Sequence, residues 1–243
     1  MKVQTKRREA TRRMVMIGLF SAMAYVVMLL LHIKVSFLTL DVKDAVITLC
    51  GLYFGPVSAL VISVLVPLLE FITVSTTGAY GLIMNILGSV SFSVTVSLIY
   101  KYKKTIWGAI VALFAGAFAM VAVMLLANLF ITPYYMGVTA DAVRDMIPTL
   151  LLPFNAVKAV LNVGFVLLFY KSLSRALRKT GFLPRGKSAT GEVEHTNGTV
   201  GAVTGTRRHM TTIAITAVAV LLIAAAMVLI FTVLGGKFTF GIK

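Results

Sequence analysis

Cysteine is nearly absent from this 243-residue chain, in which Cys50 is the single example. One cysteine cannot form an intrachain disulfide or supply a thiolate cluster for a metal ion. Charged residues are also scarce, at 13% against about 25% in an average soluble domain. Acidic residues are especially few, since 8 Asp and Glu face 23 Lys and Arg, giving a formal net charge of +15. The positive charge therefore needs a location in a chain with little polar surface.

Motifs for catalysis and energy coupling are missing as well. The sequence contains no Gly-rich loop ending in Lys-Ser/Thr, which excludes ATP hydrolysis by the usual route. It also lacks His-Glu-x-x-His and Gly-x-Ser-x-Gly motifs. An acidic pair in mid-membrane and inverted repeats are not evident either, which argues against a self-sufficient secondary transporter. We therefore expect no catalytic residues, no metal site and no enzymatic cofactor.

Hydrophobic residues are abundant, at 59%, and the mean hydropathy is +0.96. Soluble domains contain about 45–50% apolar residues, so the composition predicts an all-α integral membrane protein. The surroundings are then the lipid bilayer of the cell membrane. A soluble nucleic-acid binder is disfavoured because its basic residues need a folded polar surface.

Four basic clusters carry 17 of the 23 Lys and Arg residues and indicate the orientation of the helices. They lie at residues 2–13, 101–104, 171–187 and 207–208. Basic residues beside transmembrane ends stay in the cytoplasm. We therefore predict a multi-pass protein with a cytoplasmic N-terminus and with all four clusters on the cytoplasmic side.

This charge rule requires residues 44–75 to cross the membrane twice. A single crossing would place the clusters at 101–104 and 171–187 outside. The break is predicted at Phe54-Gly55-Pro56, because Gly tolerates turn geometry and Pro lacks a backbone donor. One long tilted helix is the alternative. The six predicted helices of the body span residues 14–32, 44–54, 57–74, 81–100, 106–131 and 148–171.

A seventh apolar run follows this six-helix body. This run is rich in Ala, Val, Ile and Leu and contains no ionisable residue. It therefore predicts one additional C-terminal transmembrane helix with an anchoring or packing role. The Gly, Thr and Ser residues before it predict a flexible linker. The resulting division is a cytoplasmic basic arm at 1–13, the substrate-binding body at 14–180, the cytoplasmic linker at 181–210, the additional helix at 211–234 and an extracellular tail at 235–243.

Lys158 is the sharpest candidate for function, because a charge inside the bilayer costs about 2.5–3.5 kcal/mol on insertion scales. Asn155, Lys158 and Asn162 are spaced i, i+3 and i+7 and share one helical face. Pro153 fits the first turn of a helix that enters from outside, which places this face in the outer half. We interpret it as a substrate-binding face. The alternative is a Lys that snorkels to the interface or pairs with an acid.

Three further polar residues lie near predicted outer helix ends. Asn128 is interpreted as a substrate ligand or as an interhelical hydrogen-bonding residue. Asp44 is assigned to the same site, although it suits equally the capping of a helix N-terminus. Glu70 is expected at the membrane interface. Together with Lys158 these positions predict an outer cup for a small, flat, hydrogen-bonding solute.

The turn before the fourth helix adds Gly78, Gly81 and Asn85 to this cup. Glycines let a ligand approach the backbone, and free N–H groups at a helix start suit carbonyl or anionic groups. A Gly-rich turn also occurs without any ligand, so the pattern is weak alone.

Four segments together resemble a known family over residues 14–180. They are Phe37-Leu-Thr-Leu-Asp41-Val-Lys-Asp44, Gly51-Leu-Tyr-Phe-Gly55-Pro56, Thr77-Gly-Ala-Tyr-Gly81-x-x-x-Asn85 and Pro153-Phe-Asn-Ala-Val-Lys158. The chain resembles the substrate-binding S components of energy-coupling factor transporters, and most of all their riboflavin-specific type. The resemblance implies a six-helix body with both ends cytoplasmic, in agreement with the parity of the basic clusters.

The resemblance also implies a function and partners. Riboflavin would bind with high affinity from outside and be covered by the first extracellular loop, residues 33–43, with Phe37, Leu38 and Asp41 as gating residues. Asn155 and Lys158 would hydrogen-bond the isoalloxazine or ribityl groups. A transmembrane coupling protein and two ATPase subunits would drive release to the inside. The full set of expected substrate-binding residues is Lys158, Asn155, Asn128, Gly78, Gly81, Asn85 and Asp44.

Two features depart from the family pattern. The family's Ala-x-x-x-Ala contact with the coupling protein is present only as Gly18-x-x-x-Ala22, which still permits close helix approach. The linker and seventh helix are additions to the usual body. The alternatives are an S component for another vitamin or a modified base, an intramembrane enzyme, and a small channel or structural membrane protein.

Overall fold

The computed structural model describes residues 2–180 and 201–233, which are almost entirely helical. An all-α membrane protein was predicted, and this class is confirmed. The elements in chain order are α1 (Lys2–Leu30), β1 (Ile33–Val35), β2 (Leu38–Leu40), α2 (Lys43–Phe54), α3 (Pro56–Thr73), α4 (Gly78–Tyr102), α5 (Ile106–Met136), α6 (Ala140–Met146), a π-helical turn (Ile147–Leu151), α7 (Leu152–Lys179) and α8 (Gly201–Val233).

Five segments in the described part are long and apolar enough to cross a membrane, namely α1, α3, α4, α5 and the unit from α6 through α7. Helix α2 has 12 residues, or about 18 Å at 1.5 Å per residue, against a hydrocarbon core of about 30 Å. In α8 the apolar stretch found is Ala214–Ile230. The count of six crossings plus one therefore stays a prediction.

The predicted break at Phe54-Gly55-Pro56 is confirmed. Gly55 has φ +91°, a backbone region that favours glycine, and Pro56 occupies the first turn of α3. Lys43, at the start of α2, bonds to Glu70 near the end of α3. The chain therefore reverses at Gly55, and α2 and α3 run in opposite directions.

Side-chain pairs show that α2, α4 and α7 share one direction. Asp44 and Thr48 of α2 pair with Ser89 and Ser93 of α4 in the same order along both helices. Hydrogen bonds join α2 to α7 at both ends of α2, between Ala45 and Asn162 and between Tyr53 and Tyr170. The partners are 117 residues apart in both pairs, so the two helices run in the same direction. Hydrogen bonds Arg13–Ser58 and Tyr25–Thr73 make α1 parallel to α3.

The helix directions bring basic residues to one end of the bundle. Arg13, Gly55, Lys101 and Lys104 line a common cavity there, and α7 also ends on this side with Lys171 and Arg175. We call this side the basic end and the opposite side, where β1 and β2 lie, the hairpin end. Residues of three predicted basic clusters therefore lie at the same end of the bundle, as the charge rule requires.

Four predicted segments differ from the structure. Helix α1 extends back to Lys2 through the predicted basic arm, because residues 2–13 contain no Gly or Pro and are rich in good helix formers. The segment 132–147, left between the fifth and sixth predicted helices, contains the end of α5 and the short α6, whose N-cap Thr139 accepts a hydrogen bond from Ala142. Helix α4 begins at Gly78 and not at residue 81. The predicted loop at 33–43 contains an antiparallel hairpin with Val35 opposite Leu38.

The linker prediction is wrong for residues 201–210, because α8 begins at Gly201. Polar residues such as Arg207 continue the helix beyond its apolar stretch, so a change in composition does not mark where the helix starts. Residues 181–200 of the predicted linker and the predicted tail at 235–243 lie outside the described residues.

The double crossing can be tested by cysteine labelling, for which the buried Cys50 gives a low background. The exposed positions Ala10, Thr76 and Lys103 sample the start of the apolar part of α1, the α3–α4 turn and the α4–α5 turn. In intact cells an impermeant maleimide should label the Thr76→Cys variant and spare Ala10→Cys and Lys103→Cys, which should react after permeabilisation. If α2 does not cross, Ala10→Cys and Lys103→Cys lie on opposite sides, and one of them reacts in intact cells.

Candidate functional site

A cavity of about 700 Å³, including the part open to solvent, lies at the hairpin end of the bundle. It is enclosed by the β1–β2 hairpin, the start of α4, the end of α5 and the start of α7. Ligand sites combine predominantly apolar walls with a few polar groups. The walls here are aromatic and thioether side chains, namely Phe37, Tyr80, Met84, Met120, Met124, Tyr135 and Phe154.

Three aromatic rings connect the elements around the cavity. The Phe37 and Tyr135 centroids are 6.4 Å apart, and those of Tyr80 and Tyr135 are 6.1 Å apart. These distances are in the range of favourable aromatic pairing. The hairpin turn is therefore joined to α5, and α5 to α4, by ring contacts.

Beneath the hairpin, Asp41 forms the centre of a buried ion-pair network. Its Oδ2 atom accepts a hydrogen bond from Lys158 Nζ at 3.0 Å and lies 3.5 Å from Lys43 Nζ. Lys43 Nζ is 2.5 Å from Glu70 Oε2. All four side chains are buried, with Lys158 and Glu70 at 7% and 8% exposure. Buried charges persist only when they are paired and hydrogen-bonded, and each of these carboxylates meets an ammonium group.

Asp41 precedes α2, and its ionisation follows from this pairing. Burial alone raises the pKa of the Asp41 carboxyl, but the Lys158 and Lys43 ammonium groups outweigh burial and hold it at about 2. The carboxylate is thus charged at neutral pH, and it fixes Lys158 at the cavity floor.

Asn85 links the network to the cavity wall. Its Oδ1 accepts from Lys43 Nζ at 3.2 Å, and its Nδ2 donates to Glu70 Oε1 at 3.1 Å. Asp44 lies nearby and accepts a 2.5 Å hydrogen bond from Ser89 Oγ, while its Oδ2 has no hydrogen-bond partner among the described residues. The α2–α3–α4 junction is therefore crosslinked by charge and by amide hydrogen bonds.

The three residues of the α7 polar face have different roles in the structure. Asn162 uses both ends of its amide within the protein, since its Oδ1 accepts from Ala45 N and its Nδ2 donates to the Lys158 and Asp41 carbonyls. Asn155 lines the cavity and donates Nδ2 to the Leu151 carbonyl, but its buried Oδ1 finds no partner among the described residues. Asn155 Oδ1 is thus an acceptor beside Lys158.

Asn128 lines the cavity from α5. Its Nδ2 donates to the Met124 carbonyl and its Oδ1 accepts from Thr132 Oγ1 at 2.8 Å. Both bonds lie within α5, so Asn128 makes no interhelical hydrogen bond to the described residues, which was the alternative considered. Its Oδ1 retains one lone pair for a further donor.

The structure groups most of the predicted site residues and separates three of them. Gly78, with φ +62°, begins α4 away from the cavity wall. Asp44 lies behind the wall against Ser89, and Val42 takes the N-cap position of α2, so Asp44 does not cap that helix. Asp41 is buried below the hairpin as an ion-pair partner and is not exposed in a loop. The predicted residues that line the cavity are Lys158, Asn155, Asn128, Gly81, Asn85, Phe37 and Leu38.

Sequence reasoning did not predict the pairing of Lys43 with Glu70. Glu70 was expected at the membrane interface, near the outer end of its helix, and in the structure it is buried within the protein and paired with Lys43. The available signal was the Asp41-Val-Lys43-Asp44 segment at the entry of an apolar helix, where a cation between two acids favours burial as a group. Gly18 and Ala22, expected at the coupling protein, lie on the exposed face of α1.

Comparisons with known proteins agree with this geometry. Residues 12–173 match the family model of the substrate-specific component of ECF transporters. The riboflavin transporter RibU of Staphylococcus aureus (strain TCH60) is 28% identical over 181 residues, which cover 70% of this chain and 95% of that protein. A solved structure of the S component of a bacterial ECF transporter has a TM-score of 0.60 and 26% identity, covering 70% of this chain and 99% of the other. Helix α8 lies beyond the family match.

Removing Lys43 should destabilise the fold far more than neutralising Glu70. Lys43→Met removes the ammonium group that pairs with both Asp41 and Glu70, and an unpaired buried charge costs about 3–5 kcal/mol. Glu70→Gln keeps a hydrogen-bonding side chain beside Lys43. The Lys43 ammonium group also keeps its ion pair with Asp41. Unfolding midpoints in detergent measure both effects, with the exposed Lys34→Met as the matched control. Equal midpoints for Lys43→Met and Lys34→Met would contradict the network's structural role.

Proposed function

The chain belongs to the substrate-specific S components of energy-coupling factor transporters, and from this premise we propose that its substrate is riboflavin. The family consists of transport components and not of enzymes, so the cavity is a binding site. Riboflavin enters at the hairpin end, which faces outward, and leaves at the basic end, which faces the cytoplasm. The named relative and the chemistry of the cavity both support this substrate.

The observation that carries the proposal is the adjacent pair of Asn155 Oδ1 and Lys158 Nζ on one face of α7. A flavin presents carbonyl oxygens on both sides of an imide N–H along its pyrimidine edge. Lys158 donates to a carbonyl, and the unpartnered Asn155 Oδ1 accepts from the imide N–H. Side chains at i and i+3 lie about 5–6 Å apart at Cβ, a separation that suits neighbouring atoms of one ring edge.

The apolar walls suit the remaining ring surface. An isoalloxazine is flat and tricyclic, and it gains area and favourable geometry against the aromatic side chains Phe37, Tyr80 and Tyr135. The adaptable thioethers of Met120 and Met124 suit the opposite edge, where sulfur–aromatic contacts are favourable. Desolvating a planar heterocycle between such walls provides most of the binding energy without any charge on the ligand.

Hydroxyl-binding groups lie at the rest of the cavity lining. Thr39 comes from the hairpin, Thr77 precedes α4, and Asn85 and Asn128 offer amide groups from α4 and α5. The ribityl chain of riboflavin carries several hydroxyls that both donate and accept. These side chains form a polar border of the kind that orients such a chain.

Uptake requires partners that supply energy, because this chain has no phosphate-binding loop. We assign that role to a transmembrane coupling protein and two ATPase subunits, as in the family's transporters. The exposed small residues Gly18 and Ala22 on α1 provide a face for close helix approach by the coupling protein. ATP hydrolysis by the partners then drives release of riboflavin to the inside.

The substrate can be tested by flavin fluorescence, which should be quenched on stacking in the cavity. Purified protein should bind riboflavin at sub-micromolar concentration, and Asn155→Ala and Lys158→Ala should each weaken binding about tenfold or more, because each leaves a polar ligand group unpaired. Lys34→Ala, an exposed lysine of the hairpin, should leave affinity unchanged. A panel with thiamine, biotin and purine bases provides the comparison. Tighter binding of one of these, or no binding of riboflavin, would overturn the assignment.

A further inference from the structure

Helix α8 packs along α7 through a continuous stripe of small and apolar residues. Ala219, Ala226 and Ile230 are fully buried, and Ile223 lies between them on the same face. A Cβ on Gly164 of α7 would lie 2.8 Å from Cγ1 of Ile223, so the two helices approach closely because Gly164 has no side chain. The helix is therefore packed specifically against the body over three turns.

The end of this stripe joins the hydrophobic cluster that holds the hairpin. Ile230 and Ala226 belong to one contiguous cluster with Phe154, Val157 and Leu161 of α7. The same cluster contains the hairpin residues Val35 and Leu40, both buried, with Ile33 and Leu38 packed against it. Residues of α8 and of the hairpin thus pack into the same core, with α7 side chains common to both.

This cluster also extends to the binding cavity. Phe154 is a member of the cluster, Leu38 packs against it, and both side chains line the cavity. The cluster that contains Ile230 is therefore continuous with two apolar side chains of the cavity wall.

The Asp41 ion pairs at its base and the Phe37–Tyr135 ring contact at its turn also hold the hairpin, but its apolar support is limited. The hairpin consists of two three-residue strands, a size that is marginal without packing against another element. Its turn residue Ser36 has φ +56°, which adds strain for a residue that carries a Cβ. Packing of Val35 and Leu40 into the shared cluster is thus the main apolar support of the hairpin.

We propose that α8 is a built-in buttress of the β1–β2 hairpin, acting through Ile230 and Ala226, and that it slows loss of the bound ligand. The first part stands on packing alone, and the second rests on the proposed function. Because the family match ends at residue 173, this support is an addition to the six-helix body. Ile230 and Ala226 are positioning residues for a binding site that they do not line.

The hairpin can be monitored without any ligand. A nitroxide label at Ser36→Cys, in a Cys50→Ala background, reports the mobility of the hairpin turn, and a label at Lys104→Cys reports the basic end. Two changes in the full-length chain weaken the buttress, namely Ile230→Ala and Ile223→Ala. Leu221→Ala is the matched control, because Leu221 lies on the exposed side of α8 with 68% exposure.

We expect both changes to increase the mobility of the label at position 36 and to leave the label at position 104 as in the parent chain. Riboflavin release, followed by stopped-flow fluorescence, should be about fivefold faster or more, with Leu221→Ala like the parent. Unchanged mobility at position 36 in both variants would overturn the buttress, as would an equal rise at position 104, which indicates global loosening. If the parent binds no flavin but the hairpin still loosens, the proposed substrate fails and the buttress stands.

Discussion

Asp41 is a carboxylate buried at the base of the hairpin, and the arrangement of the hairpin end depends on its neutralisation. Water cannot solvate it there, so the two ammonium groups of Lys43 and Lys158 must stay within reach. Lys43 in turn holds Glu70 at the end of α3. Through these contacts one buried charge fixes the start of α2, the end of α3 and the polar face of α7 relative to the hairpin.

The pairing of Asp41 with its neighbours also decides which polar groups of α7 remain available to a ligand. The Lys158 ammonium has three donors, of which Asp41 takes one, and the side chain still lines the cavity. Asn162, one turn further along α7, uses its amide to tie the α2 backbone and is therefore structural. Asn155 keeps an unpartnered Oδ1 among the described residues. A stripe that looks uniform in the sequence thus divides into a structural residue, a shared cation and a free acceptor.

The sequence predicted those parts of the fold that depend on local chemistry. The reversal at Gly55 followed from Gly and Pro and from the parity of basic clusters, and the α7 face followed from helical spacing. It did not predict the Lys43–Glu70 pair, because those residues are 27 positions apart and meet only when α2 folds back along α3. Gly78 and Asp44 were placed in the site by their position near helix ends, yet the Gly78 backbone lies away from the cavity wall and the Asp44 side chain turns toward Ser89. The start of α8 was missed because polar residues can extend a helix beyond its apolar stretch.

The additional helix need not obstruct the coupling that the family requires. Helix α8 packs on α7, whereas α1 packs on α2 and α3. Gly18 on α1 is exposed, and a Cβ placed there would meet no atom within 4 Å among the described residues. The small-residue face predicted to receive the coupling protein is therefore open, while the apolar support of the hairpin comes from the α7 side. The two faces lie on different helices, so the packing of α8 on α7 leaves the small-residue face of α1 uncovered.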